Sequence, residues 1–240
     1  MYFLGMPPLV WMAGLLTLIL SGIASARVQS AFRRWSRVAP RCGMSGAEIA
    51  RAVLRDQGVE GVRVEAVRGF LSDHYDPRTR TLRLSPQVHG GRSLAAFGVA
   101  AHEAGHAIQH ARGYAPLRFR SAWVPVASTG TNLSWIVLLL SWLMGGAVAG
   151  GLGATLAWIG MALLASVVVF TLVTVPVEYD ASRRALLALE RGGYLSAEEL
   201  PAAREVLSAA GLTYVAALAG AILNLLAWAV QLGLLGGRRD

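Results

Sequence analysis

Residues 121–177 read SAWVPVASTGTNLSWIVLLLSWLMGGAVAGGLGATLAWIGMALLASVVVFTLVTVPV, 57 residues without one charged side chain. A membrane-crossing helix needs about 20 apolar residues, so this run is too long for one crossing and long enough for two. Gly145, Gly146, Gly150, Gly151 and Gly153 supply the turn between them. Two more uncharged runs cover residues 8–26 and 206–237, the latter most apolar near 214–235. Four spans follow. The composition agrees: 55% hydrophobic and 15% charged residues are too apolar for an ordinary water-soluble domain.

Between the first two spans lies a polar region, residues 27–120, with 16 arginines against 7 acidic residues. The net charge is +8, and all 22 basic residues are arginine. Arg27, Arg33, Arg34, Arg37 and Arg41 directly follow the first apolar run, whereas residues 1–7 carry no basic side chain. That is positive-inside patterning rather than a nucleic-acid surface. It predicts residues 27–120 and 178–205 in the cytoplasm and both termini outside; Arg238 and Arg239 in the tail weigh mildly the other way. Ala24-Ser25-Ala26 resembles a signal-peptidase site, but no positive segment precedes the apolar run, so the run reads as a retained span. The single Cys42 excludes an internal disulfide and a cysteine metal cluster.

The polar region has the marks of a small α+β domain. Ser45 and Glu48 form a capping-box pair, predicting a helix over 46–57. Val62, Val64 and Ala66 alternate with polar residues as in a half-buried strand, and Thr81-Leu82-Arg83-Leu84 alternates again before Pro86. Asp76-Pro77 reads as a turn. Residues 93–111 read as a helix closed by Gly113. The expected order is a spanning helix (1–26), a cytoplasmic α+β domain (27–120), a spanning hairpin (121–177), cytoplasmic helices (178–212), and a last span with its tail (213–240).

The 93–111 helix contains His102-Glu103-Ala104-Gly105-His106. Residues i and i+4 share a helix face, so two imidazoles at this spacing can reach one Zn²⁺ at about 2.0–2.1 Å. Glu103 lies about 100° further round, placed to take a proton from water at the metal without occupying a coordination position. A metal lowers the pKa of such water from 15.7 toward about 7. This is the His-Glu-x-x-His pattern of zinc proteases. Of the five histidines in the chain, three fall within nine residues here. A histidine six residues beyond the second ligand would mark another zinc class, but that position is Arg112. His110, one turn past His106, reads as a neighbour rather than a ligand, because a third ligand from this helix added to an outside carboxylate would close the open position catalysis needs.

Glu178 is the candidate third ligand: it follows Pro176 at the end of the third span and opens a helical stretch, Glu178–Arg184. The plainer alternative leaves Glu178 solvated while Asp180 pairs with Arg183 and Arg184. For the substrate, Thr81–Leu84 with Arg83 is the candidate edge strand. Asp73, His74, Tyr75 and Asp76 before it could line a cleft, with His74 or Tyr75 stabilising an oxyanion.

Several of these stretches together resemble the YugP-like membrane zinc metallopeptidases: Ser72-Asp73-His74-Tyr75-Asp76-Pro77, Leu84-Ser85-Pro86, Gly91-Arg92-Ser93, Val99 through Gln109, and Pro176 through Ala185. The resemblance covers most of the chain. It implies a membrane protein, mainly α, with about four transmembrane helices and a small α+β zincin-like metalloprotease domain holding one Zn²⁺. A more distant similarity is to the HtpX and CAAX-prenyl-protease group, which carries Glu-x-x-Ala-Asp on the helix of the third ligand. Glu178 and Ala181 match it, and Ser182 replaces the Asp. The residue orienting a histidine is then Asp180 or Ser182.

Three functions compete. An endopeptidase acting on membrane-associated or misfolded proteins is favoured over a zinc-binding scaffold or pseudoprotease, because binding zinc does not require Glu103. A transporter is disfavoured, since no acidic, basic or histidine residue lies between Arg120 and Glu178 or between Val206 and Gly237. Asn132, Asn224 and Gln231 in the apolar runs read as bridges between helices. The implied partners are the bilayer and a protein or peptide substrate. Membrane-protein partners and a homo-oligomer stay open.

Overall fold

The computed structural model describes residues 7–148 and 150–235. Residues 1–6, with most of the basic-free N-terminal segment, and the tail arginines Arg238 and Arg239 lie outside the described residues. The elements are α1 (Pro8–Trp35), α2 (Gly46–Asp56), β1 (Arg63–Ala66), β2 (His74–Asp76), β3 (Thr81–Leu84), α3 (Pro86–His89), α4 (Leu94–Ala111), α5 (Ala115–Leu143), α6 (Gly151–Arg191) and α7 (Leu200–Gln231). Contacts divide the chain into two units. One comprises Met1–Ile23, Phe119–Val175 and Tyr214–Asp240; the other comprises Ala24–Arg118 and Pro176–Thr213.

The first unit holds the apolar lengths of α1, α5, α6 and α7, which among the described residues are the four helices long and apolar enough to cross a membrane. Val10, Leu138, Ala157, Leu164, Trp228 and Leu232 pack at its centre. The expected helix bridge is present at Asn224, whose amide donates to Thr17 Oγ1 on α1 at 3.1 Å and to the Gly220 carbonyl at 2.8 Å. Asn132 instead donates within its own helix, to Ser128 at 3.2 Å. Gly145, Gly146, Gly150 and Gly151 all adopt positive φ between α5 and α6, a backbone that only glycine enters without strain.

Each long helix runs beyond its uncharged run. The helix that carries the third apolar run, α6, continues beyond Val177 through Arg191, 41 residues in all. At 1.5 Å per residue it is about 60 Å long, twice the roughly 30 Å hydrocarbon core. Pro176 lacks an N–H and so removes one bond of the ladder, which the remaining length tolerates.

The second unit is built around α4. Fifteen of its eighteen residues are buried, among them Phe97, Ala100, Ala101 and Ala104. Ser93 caps it through the Ala96 N–H, and the reciprocal Ser45–Glu48 box caps α2 as its sequence requires. Ile49, Val53 and Leu54 of α2, Leu82 and Leu84 of β3, and Val88 of α3 close the core around α4.

The sheet has the order β1-β3-β2. β3 pairs parallel with β1 and antiparallel with β2. This overturns the reading of Thr81–Leu84 as an edge: β3 is the central strand, Thr81 is fully buried, and its backbone is engaged on both sides. Residues 74–76, read as a loop and turn, form one of the two edge strands, and β1 forms the other. The alternation of β3 did mark a strand, but it could not say how many neighbours that strand has.

Candidate metal centre

Glycine and alanine on α4 let another backbone approach the motif. A Cβ built on Gly105 would stand 2.5 Å from the carbonyl oxygen of Ala181, and one on Gly98 would meet Ala203 of α7 at 3.5 Å. The approach at Gly105 brings the turn of α6 that holds Glu178 against His102 and His106. Glu178 Oε2 lies 3.1 Å from His102 Nε2 and 3.4 Å from His106 Nε2. The three donor atoms all fall within 4.8 Å of one another. Two ligands about 2.0–2.1 Å from a tetrahedral zinc are about 3.3–3.4 Å apart, so both measured separations are close to a zinc polyhedron's edge. Two imidazoles and one carboxylate are also a donor set zinc takes, leaving a fourth position open. The residues present therefore fit the metal. Glu178 is only 2% exposed, which disposes of the solvated alternative, although Asp180 does pair with Arg183 at 2.8 Å and Arg184 at 2.5 Å.

Both imidazoles are oriented from behind. Gln109 is fully buried, and its amide donates one hydrogen to the Val177 carbonyl at 2.8 Å and one to Asp180 Oδ2 at 2.9 Å. Its oxygen therefore faces His106 Nδ1, 3.0 Å away, and that nitrogen carries the proton. His106 Nε2 is left facing Glu178. Ser182 Oγ, 3.1 Å from His102 Nδ1, accepts in the same way. Of the two residues expected to orient a histidine, Ser182 Oγ lies at hydrogen-bond distance from His102 Nδ1, and Asp180 accepts from the Gln109 amide that faces His106. Gln109 itself was quoted in the sequence only as part of a motif. Its signal was present: it lies three residues after His106, on the same helix face.

Electrostatics separate the carboxylates. Burial pushes the Glu103 carboxyl up to about 7, with Glu178 and Asp73 adding to the rise and His102 opposing it. Burial also opposes ionisation of Glu178, which lies beyond the apolar length of α6, but hydrogen bonds and charge from His102 and His106 outweigh it and hold the group below its ordinary value. At Asp180 burial is likewise outweighed, by Arg184, Arg183 and Gln109, and the carboxyl is lowered. The unit thus keeps the Glu178 carboxylate ionised against the two imidazole Nε2 atoms, with the raised Glu103 carboxyl beside them.

The other candidates divide between the two faces of β2. Tyr75 reaches α4: its hydroxyl is 2.8 Å from His110 Nδ1, and its backbone N–H acts on the Glu103 carboxylate. His110 thus has a partner outside the ligand set, as expected of a neighbour. His74 is exposed, its Nδ1 2.8 Å from the Ser72 carbonyl. Arg83 is engaged by Asp76 at 3.1 Å. Asp73 takes the Ser85 N–H at 2.7 Å and the Ser85 hydroxyl at 3.0 Å, joining two of the quoted motifs.

Among the described residues, four helices long and apolar enough to cross a membrane accompany a buried cluster of two histidines from a His-Glu-x-x-His helix and one glutamate from α6, the donor set of a metallopeptidase-type site. The chain belongs to the family described as "Putative neutral zinc metallopeptidase", whose model matches residues 10–233. It is 41% identical over 207 residues to the "Putative membrane protease YugP" of Bacillus subtilis (strain 168), covering 86% of this chain and 89% of that protein. No solved structure matches it.

Proposed function

We propose that this chain is a zinc-dependent endopeptidase of the bacterial cell membrane, hydrolysing membrane-associated or misfolded proteins, with its site on the cytoplasmic side. The observation carrying this reading is the convergence of His102, His106 and Glu178 beside a buried Glu103. His102, His106 and Glu178 hold one Zn²⁺. When bound, zinc supplies Lewis-acid chemistry, acidifying water and polarising a carbonyl. Glu103, buried beside the three ligands, would then act as general base. Gln109 and Ser182 hold the imidazoles with Nε2 free.

Substrate recognition falls to β2 in this reading. It is an outer strand, as is β1, and of the two it is β2 whose Tyr75 reaches α4 through His110. An extended peptide added along that edge would lie beside Glu103. Tyr75 is on the α4 face and takes the oxyanion role ahead of His74.

Retention of Glu103 supports an enzyme over a zinc-binding scaffold, and one comparison separates them. Purified wild type and Glu103→Gln are assayed for bound zinc and for cleavage of an unfolded protein. Equal zinc, near one per chain, with hydrolysis lower by about 10²–10⁴ in the variant is the expected result. Undiminished turnover by metal-replete Glu103→Gln would remove the general base; zinc binding with no turnover in either protein would favour the scaffold.

A further inference from the structure

A groove of about 540 Å³ lies where the end of α1, the 67–72 loop and the start of α4 meet. Arg33, Arg37 and Arg92 line it, and no acidic side chain does. Arg33 reaches only Gln29, at 3.5 Å, and neither it nor Arg37 has an acidic partner among the described residues. Arg92 donates to the Gly43 carbonyl and stands 3.8 Å from Glu48. The apolar side of the groove is Phe32 and Phe70, their rings edge to face at 5.9 Å. Phe70 is 55% exposed and Leu71 38%, an expensive display for large apolar residues in water. Leu71 holds φ 51°, a left-handed conformation disfavoured for a branched side chain.

We propose that this groove binds the headgroup of an anionic phospholipid, with the phosphate between the arginines and the glycerol end of the chains against Phe32 and Phe70. Charge complementarity selects the ligand: three guanidinium groups with open donors suit a phosphodiester. The helix selects the source. Phe32 and Arg33 lie only six and seven residues beyond Ala26, the end of the first uncharged run. At 1.5 Å per residue that is about 10 Å along α1, a few ångström past a headgroup layer of about 5–8 Å per leaflet, a gap that an arginine side chain reaching back toward the membrane spans. Exposed Phe70 and Leu71 then have an apolar environment.

The test is native mass spectrometry of the full chain in detergent with equimolar phosphatidylglycerol and phosphatidylcholine. Each juxtamembrane arginine adds about 1 kcal/mol toward an anionic lipid, so three amount to roughly a hundredfold in affinity. Wild type should retain phosphatidylglycerol selectively. Arg33→Gln/Arg37→Gln/Arg92→Gln should lose most of that preference. Arg51→Gln/Arg55→Gln, which changes exposed arginines outside the groove, should keep it. Excess inorganic phosphate should not displace the lipid, because it lacks the apolar part. Equal retention by the groove triple variant and wild type, or displacement by phosphate alone, would overturn the proposal. The arginines are exposed, so the triple variant should fold; its zinc content and melting temperature verify that independently.

Discussion

Replacing Gln109 by leucine tests whether the zinc ligands are held from behind as the geometry implies. Leucine fills similar volume but removes all three hydrogen bonds, to His106, Val177 and Asp180. Asp180 keeps Arg183 and Arg184, and the Val177 carbonyl keeps its place in the α6 ladder, so the group left stranded is His106 Nδ1–H. One unsatisfied buried donor costs about 1–3 kcal/mol of stability. Freed of its acceptor, the imidazole can turn or exchange tautomers. Loss of such a partner lowers metal affinity by about 10–100-fold, equivalent to about 1.4–2.7 kcal/mol. Gln109→Glu behaves differently. It keeps an acceptor for His106 but sets a second carboxylate where the amide donated to Asp180 at 2.9 Å. Zinc affinity should stay near wild type in the glutamate variant while its melting temperature falls. Zinc is titrated against a competing chelator on the full chain in detergent, and melting is followed with the metal removed. A correctly folded Gln109→Leu binding zinc like wild type, or equal zinc loss in both variants, would refute the orienting role.

Gly105→Ala should separate α4 from α6, since its Cβ would overlap the Ala181 carbonyl; a loss of about 1–3 kcal/mol and weaker zinc binding are expected, read by melting and metal analysis. Asp76 is held well below its ordinary 3.8, first by the Thr79 hydroxyl and then by Arg83. A lowered carboxylate adds stability above its unfolded value that disappears as pH falls through its folded value. Asp76→Asn should therefore melt below wild type at neutral pH, with the gap closing in strong acid; a gap independent of pH would exclude the charge as its source. Cys42 is exposed and is the single cysteine, so orientation is readable without new labels. A membrane-impermeant maleimide should react with it only after cells are broken, and labelling of intact cells would invert the proposed topology.

The sequence by itself determined what depends on neighbours a few residues apart. Charge-free runs mark the four potential spans because each must satisfy its backbone internally and expose apolar side chains to lipid. The capping box starts α2, and the i, i+4 histidines share a face of α4 because helical periodicity is local. Glu178 was legible as a candidate by its chemistry, and its solvated alternative was equally legible. Only the tertiary structure chose between them, by bringing together residues 76 apart in sequence. It also decided that Gly105 is a contact with Ala181, that Gln109 fixes the proton of His106, and that β3 is central while residues 74–76 form an edge. Strand alternation states which way side chains point and is silent on which strands pair, because pairing is settled by distant backbone groups that must all find partners in the same packed core.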